Sequence, residues 1–292
     1  FEYGRESLVW HLYHNAFRFR DKTFMVFYGT EFTWKEFKDL VWKAAGGLKK
    51  LGINKGDRVY LGLQNCPQFI ICYYAIMAVG GITIAGSPMY KGGELTHVLN
   101  DSGAKVVIME DGLLPILQSV RDKVPLVERV VATSLSDYLP ENPTLPVPPG
   151  MVAEGVDLGD AMLWQEFIES EPIEKMVELD IKNDVALLQY TSGTTGNPKG
   201  AMITHLNIMA NAISSPNLGN LTADCRWLAV LPLFHVTGMV NTMNACVYLG
   251  GSMVVLTRFD AETCLMAFDR YKVTAWNGIT TMNIAVINHH KL

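Results

Sequence analysis

The sequence predicts an α/β protein made of two similar lobes, each a mostly parallel sheet covered by helices. Short apolar segments typical of strands alternate with segments of helical period, which is the pattern of a helix-covered parallel sheet. The 292-residue chain is 49% hydrophobic and 18% charged, so it has enough apolar surface to build a large core and is not disordered. Two long stretches without charged residues also share the same order of an apolar helix, a Gly-Gly pair and a strand, which suggests a duplicated unit.

The first 60 residues are predicted to form a helix, a hairpin, a second helix and a strand. Thr33 and Glu36 fit a capping box, in which each side chain satisfies a free backbone N–H at the helix start. Apolar residues then recur at helical spacing from Phe37 to Leu51, and Gly52 is placed to end the helix. A buried strand over residues 57–63 follows.

From residue 67 onward the alternation continues to the end of the chain. Helices are predicted from about Pro67 and over 94–99, 113–122, 206–213, 236–249 and 263–271. Strands are predicted over 82–85, 105–109, 129–132, 186–190, 226–231, 253–256 and 273–276. Residues 139–150 hold five of the thirteen prolines and predict a surface excursion or linker that is extended rather than packed.

The charge-free stretches, residues 60–90 and 227–257, are each long enough to contain a membrane-spanning helix of about 20 residues. Each instead reads as an apolar helix, a Gly-Gly pair and a strand, and prolines and glycines divide it into shorter pieces. We therefore predict no membrane span. We expect one lobe over 55–183 and a second over 184–292, with residues 1–54 packing on the second.

Charge and cysteine content exclude several classes of function. The net charge of −5 comes with no basic patch, so no nucleic-acid partner is expected. The five cysteines are odd in number and contain no C-x-x-C pair, so neither a disulfide framework nor a zinc site is predicted. We predict no metal site made by side chains alone and a reducing, cytoplasmic location.

The strongest chemical signal is the segment from Gln189 to Gly200, QYTSGTTGNPKG, which follows a predicted strand. Its glycines allow backbone N–H groups to face an anion, its hydroxyls can donate to phosphate oxygens, and its lysine supplies a cation. The segment predicts polyphosphate binding. It is not a Walker P-loop, because Pro198 stands where that pattern needs glycine, and Tyr190 excludes a Gly-x-Ser-x-Gly nucleophile elbow.

This segment resembles the phosphate-binding signature of the AMP-forming acyl-CoA synthetase, adenylation-domain and luciferase superfamily. The resemblance extends over nearly the whole chain. Further segments similar to the family are 78–90, 94–105, the PLFHVTGM segment at 232–239, and 273–282. The fold that it implies is the large N-terminal domain of an adenylate-forming enzyme.

The resemblance implies a ligase that converts a carboxylic acid, most simply a fatty acid, and ATP into acyl-AMP and pyrophosphate, and then forms acyl-CoA. Its substrates and cofactor would be ATP, Mg²⁺ and coenzyme A. The ATP phosphates would be bound by Thr191, Ser192, Gly193, Thr194, Thr195, Gly196 and Lys199. The acyl and carboxylate pocket would be formed by His235, Val236, Thr237, Gly238, Met239, Met243, Trp276, Asn277 and Gly278.

The family's later motifs, including its magnesium-binding acid, ribose-binding Asp and catalytic lysine, have no match in this sequence. We therefore expect a truncated N-terminal domain without the small C-terminal domain, with no complete catalytic set and no activity by itself. An aryl or amino acid substrate remains an alternative. A non-catalytic ligand-binding or dimerisation module is an alternative of another class, and a homodimer is an option in either case.

Overall fold

The computed structural model describes residues 6–151, 153, 155–191 and 198–290. Its α-helices are α1 (Leu8–Arg18), α2 (Trp34–Lys50), α3 (Pro67–Ala78), α4 (Gly92–Ser102), α5 (Leu114–Gln118), α6 (Trp164–Ile168), α7 (His205–Leu218), α8 (Val236–Gly238), α9 (Ala245–Leu249), α10 (Ala261–Tyr271) and α11 (Thr280–Ile287). A π-helical segment, Met239–Asn244, joins α8 to α9.

The strands are β1 (Thr23–Phe27), β2 (Thr30–Thr33), β3 (Arg58–Gly62), β4 (Ile82–Ala85), β5 (Val106–Glu110), β6 (Arg129–Thr133), β7 (Met162–Leu163), β8 (Val185–Thr191), β9 (Lys199–Thr204), β10 (Arg226–Ala229), β11 (Ser252–Val255) and β12 (Ala275–Trp276). They form a seven-stranded sheet, ordered β7-β6-β5-β3-β4-β8-β9, and a five-stranded sheet, ordered β12-β10-β11-β1-β2. Only the β8–β9 and β1–β2 pairings are antiparallel within the described sheets. The predicted α/β class is confirmed.

Sheet membership does not follow the lobe boundary expected at residue 184. Strands β8 and β9 pair with β4 and complete the larger sheet, so the division between the sheets lies between Thr204 and Arg226. The early strands β1 and β2 belong to the smaller sheet, where β1 lies parallel to β11. Strand β9 had no counterpart in the sequence prediction; it is an edge strand with no fully buried residue, so it lacks the burial pattern of a core strand.

The repeated helix, Gly-Gly and strand unit occurs once in each sheet. Helix α3 leads through Gly80 into β4, and α9 leads through Gly250 into β11. Both glycines have positive φ, +73° and +80°, a conformation that side-chain-bearing residues rarely adopt. No helix among the described ranges is long and apolar enough to cross a bilayer, and the charge-free stretches are these compact units.

The helices of the two units pack against each other in the interior. Every residue of α3 is buried, which explains why its sequence is apolar on all sides. Asn244 of the π-helical segment donates to the Tyr73 hydroxyl at 3.0 Å and accepts from the Tyr74 hydroxyl at 2.9 Å. These buried hydrogen bonds tie the helix of one sheet to the helix of the other.

The proline-rich segment 139–150 is more firmly packed than the sequence suggested. Leu145 is buried in the main core, and the Thr144 N–H donates to the Tyr28 carbonyl at 2.8 Å. The Thr144 hydroxyl also bonds to the Tyr271 hydroxyl. The prediction of an unpacked linker was wrong here, because one leucine and one threonine anchor the segment between β1 and α10.

His205, the first residue of α7, gives a prediction for stability against pH. It is 2% exposed, neither ring nitrogen has a partner among the described residues, and burial lowers its pKa to about 4. The unfolded chain, with a histidine pKa of about 6.5, binds the proton more readily, so stability falls as pH drops from 6.5 towards 4.

Between pH 7 and pH 5, the free energy of unfolding should fall by about 1–2 kcal/mol more in the wild-type chain than in His205→Leu. Urea unfolding at both pH values measures this difference. Asn211→Leu, at an exposed position of the same helix, provides the control, because it removes no titratable group and should leave the pH dependence unchanged. An identical pH dependence in His205→Leu and the wild-type chain would contradict the prediction.

Candidate active site

The two ends of the predicted phosphate-binding segment lie side by side. Thr191 ends β8 and Lys199 begins β9, and these residues are direct partners in the antiparallel pair. Both are exposed. The other predicted phosphate residues, Ser192, Gly193, Thr194, Thr195 and Gly196, lie outside the described residues. The hairpin therefore presents one hydroxyl and one ammonium group from its adjacent strand ends.

Helix α4 contacts the hairpin at Tyr190 of β8 and at Pro198, the residue before β9. The Tyr190 hydroxyl donates to Asp101 Oδ2 at 2.6 Å, and burial together with Asp101 raises the tyrosine pKa. His97 Nε2 lies 2.8 Å from the Pro198 carbonyl, which can only accept, so Nε2 carries the proton. Sequence reasoning gave His97 no role. Its only sequence signal was its place in the family-like segment 94–105.

Gln189 connects the hairpin to the PLFHVTGM segment. Its Nε2 donates to the Phe234 carbonyl at 3.2 Å, directly beside His235. Its Oε1 is buried and accepts no hydrogen bond from the described part of the chain. The bond brings two separately predicted segments together.

His235 lies at the start of α8 and is exposed, with its ring 5.6 Å from the ring of Phe234. The residues after it, Val236 and Thr237, line a cavity of about 330 Å³ together with α7. The remaining lining residues are Leu187, Ile203, Asn207, Ile208, Asn211, Val240 and Asn241. The lining is mainly aliphatic with three asparagine amides, and Leu187 and Ile203 belong to the strands of the hairpin.

The other predicted pocket residues lie deeper or have structural contacts. Met239 and Met243 are fully buried in the core and line neither this cavity nor the larger one described next. Gly238 is buried against the Pro232 and Leu231 carbonyls.

Residues after β12 fasten that strand to the π-helical segment. Asn277 Nδ2 donates to the Asn241 carbonyl at 2.8 Å and to Thr242 Oγ1 at 3.0 Å. Trp276 packs against Phe268, with ring centroids 5.2 Å apart. Gly278 lies against the Trp276 ring and Asn283. These residues support the site and are not themselves part of the 330 Å³ cavity.

A second cavity, of about 520 Å³, is lined by Pro232 and Phe234 of the PLFHVTGM segment. Sequence reasoning missed its polar residues, Gln64, Asn65 and Arg258. Asn65 is 1% exposed: its Oδ1 accepts from the Leu233 N–H at 2.8 Å, and its Nδ2 donates to the Leu231 and Leu256 carbonyls at 2.9 and 3.2 Å. In the sequence, Asn65 is distinguished only as an amide side chain in a mainly apolar stretch.

No group of three or more His, Cys, Asp or Glu side chains within residues 6–151, 153, 155–191 and 198–290 could hold a metal ion.

Comparison with known proteins relates this geometry to a family. The sequence profile of the family described as AMP-binding enzyme matches residues 12–292. A long-chain-fatty-acid–CoA ligase of Bacillus subtilis is 34% identical over 288 residues, which are 95% of this chain and 51% of the relative. A feruloyl-CoA synthase of an Amycolatopsis species is 32% identical and covers 89% of this chain and 46% of its own length.

The solved structure of a long-chain-fatty-acid–CoA ligase from Archaeoglobus fulgidus superposes with a TM-score of 0.83 at 26% identity, covering 99% of this chain and 54% of that one. The chain thus spans about half the length of the relatives that it matches. The match over almost the whole chain, together with the paired hairpin ends, shows that the chain belongs to the AMP-binding enzyme family.

Proposed function

We propose that the chain is the nucleotide- and acid-binding part of an AMP-forming fatty-acid–CoA ligase. The carboxylate of the acid attacks the α-phosphorus of Mg-ATP, which forms the mixed anhydride acyl-AMP and releases pyrophosphate. The thiolate of coenzyme A then attacks the acyl carbonyl and displaces AMP. The Gln189–Phe234 hydrogen bond is the main structural support for this proposal, because it joins the hairpin proposed to bind phosphate to the segment that contains His235.

In this proposal Thr191 and Lys199, with Ser192, Gly193, Thr194, Thr195 and Gly196, bind the β- and γ-phosphates. Their donors and positive charge stabilise the leaving pyrophosphate, where negative charge develops during the first step. Mg²⁺, entering with ATP, would neutralise part of the charge on the same phosphates. His235 borders the substrate carboxylate, and Val236 and Thr237 contact the acid or thiol in the 330 Å³ cavity.

A second candidate substrate is an aryl acid, which the similarity to a feruloyl-CoA synthase favours. A non-catalytic binding or dimerisation module is the alternative of another class.

We also propose a cytoplasmic location, supported by five free cysteines. A homodimer would be tested by analytical ultracentrifugation.

The experiment compares pyrophosphate release by this chain and by a longer chain that adds the half present in its relatives. We expect the 292-residue chain to bind Mg-ATP but release no pyrophosphate with palmitate, because it spans about half of a relative. The longer chain should release pyrophosphate and form palmitoyl-CoA when coenzyme A is added.

Release of pyrophosphate by the 292-residue chain would contradict the expected inactivity. A longer chain that used ferulate in preference to palmitate would favour the aryl-acid alternative. A longer chain that bound ligands without turnover would favour the non-catalytic module.

A further inference from the structure

One face of helix α4 is bonded to the hairpin of β8 and β9 at two points. His97 and Asp101 are four positions apart on α4, so their side chains lie on the same face of the helix. His97 Nε2 donates to the Pro198 carbonyl at 2.8 Å, and Asp101 Oδ2 accepts from the Tyr190 hydroxyl at 2.6 Å. Pro198 and Tyr190 each directly precede a residue proposed to bind phosphate. The helix is therefore connected to the backbone next to both of these residues.

The bond to Pro198 restrains the backbone of Lys199. The carbonyl of Pro198 and the N–H of Lys199 belong to one planar peptide group, so a hydrogen bond to that carbonyl also fixes the orientation of the lysine N–H. Lys199 is paired with Thr191 across the hairpin. His97 is thereby connected through the backbone to both described residues that are proposed to bind phosphate.

Side-chain packing contributes little to the position of β9. It is an edge strand with no fully buried residue, and its first side chain, that of Lys199, is exposed. The next residue, Gly200, has no side chain, and the ring of Tyr190 lies so close that a Cβ atom would be 3.0 Å from it. The start of β9 is therefore restrained by its pairing with β8 and by the hydrogen bond from His97.

The same helix makes a matching bond that leads away from the hairpin. Asn100 Nδ2 donates to the Lys123 carbonyl at 2.8 Å, which is the length of the bond from His97 to Pro198. Both bonds join a side chain of α4 to a backbone carbonyl outside the helix. Removing each in turn therefore separates an effect on the hairpin from general support of α4.

We propose that His97 is a positioning residue for Lys199: its hydrogen bond to the Pro198 carbonyl holds the start of β9 where the lysine ammonium meets the phosphates of ATP. This inference rests on the proposed function, in which Lys199 binds those phosphates. A cation that is held in place before its ligand arrives loses less conformational freedom on binding, so the phosphates bind more tightly. In this proposal His97 itself makes no contact with ATP.

The test is calorimetric titration of the chain and its variants with Mg-ATP. His97→Leu removes the donor and should weaken Mg-ATP binding about fivefold, whereas Asn100→Leu should leave the affinity unchanged. His97→Gln keeps an amide donor for the same carbonyl and should bind Mg-ATP within about twofold of the wild-type affinity. Equal affinity in His97→Leu and wild type, or equal weakening in His97→Leu and Asn100→Leu, would overturn the proposal.

A double-mutant cycle tests whether His97 acts through Lys199. When Lys199→Ala is already present, His97→Leu should change the affinity for Mg-ATP by less than about 1.5-fold, because no ammonium group is left to be positioned. A general structural role would not depend on the lysine side chain. The same loss of affinity with and without Lys199→Ala would therefore overturn the proposal.

These titrations also separate this inference from the proposed function. A wild-type chain that binds no Mg-ATP rejects phosphate binding at the hairpin, and the positioning role of His97 is rejected with it. A wild-type chain that binds Mg-ATP no more tightly than His97→Leu does rejects the positioning role alone and leaves the proposed function standing.

Discussion

Replacing Asn65 by leucine is expected to lower the free energy of unfolding by about 3–5 kcal/mol. The Asn65 side chain lies in the loop after β3 of the seven-stranded sheet, yet its partners are backbone groups of Leu231, Leu233 and Leu256, which follow β10 and β11 of the other sheet. Leucine has a similar volume but leaves these buried backbone groups without partners, and each orphaned group costs about 1–3 kcal/mol.

Denaturant unfolding monitored by tryptophan fluorescence measures the effect. Asn54, an exposed asparagine in the turn before β3, provides a matched control, because Asn54→Leu removes only solvent-exposed hydrogen bonds and should change stability by less than about 0.5 kcal/mol. If Asn65→Leu were no more destabilising than Asn54→Leu, Asn65 would not hold the two sheets together in the way described.

Replacing Gly238 by alanine is expected to destabilise the fold by about 2–3 kcal/mol. The backbone of Gly238 is helical, with φ −66° and ψ −45°, so alanine would normally be preferred there. A Cβ atom would, however, lie 2.4 Å from the Pro232 carbonyl oxygen and 2.7 Å from that of Leu231. These are backbone atoms and cannot rotate away, so the segment must shift.

The shift would also displace His235, because its N–H donates to the same Pro232 carbonyl at 3.1 Å. Thermal unfolding checks the stability loss, and Gly93→Ala is the control. Gly93 lies in α4 with open space around the added Cβ, so alanine there should be neutral or slightly stabilising. Equal stability of the two variants would show that the turn before α8 is not tightly packed.

Much of the fold could be predicted from the sequence because burial leaves a periodic pattern. The capping box at Thr33 and Glu36 and the repeated helix, Gly-Gly and strand units are present as predicted. The predicted single helix over 113–122 is instead α5 between two 3₁₀ turns, Asp111–Leu113 and Arg121–Lys123.

The site was less predictable, because its contacts join residues distant in sequence. His97 and Pro198 are 101 positions apart, and Asn65 is more than 160 from its partners. Such pairings depend on strand order, which local periodicity does not specify. Orientation around a helix has the same dependence: Met239 and Val236 lie on one helical stretch, yet Val236 lines the 330 Å³ cavity and Met239 is fully buried.

We propose that the hairpin of β8 and β9 binds the phosphates of ATP. Calorimetric titration of the chain with Mg-ATP tests it most directly, with Lys199→Ala compared against Lys182→Ala, an exposed lysine before β8. We predict that Mg-ATP binds, that Lys199→Ala weakens binding about tenfold, and that AMP, which lacks the β- and γ-phosphates, is affected less. No binding of Mg-ATP to the wild-type chain, or equal affinity in Lys199→Ala and Lys182→Ala, would contradict phosphate binding at this hairpin.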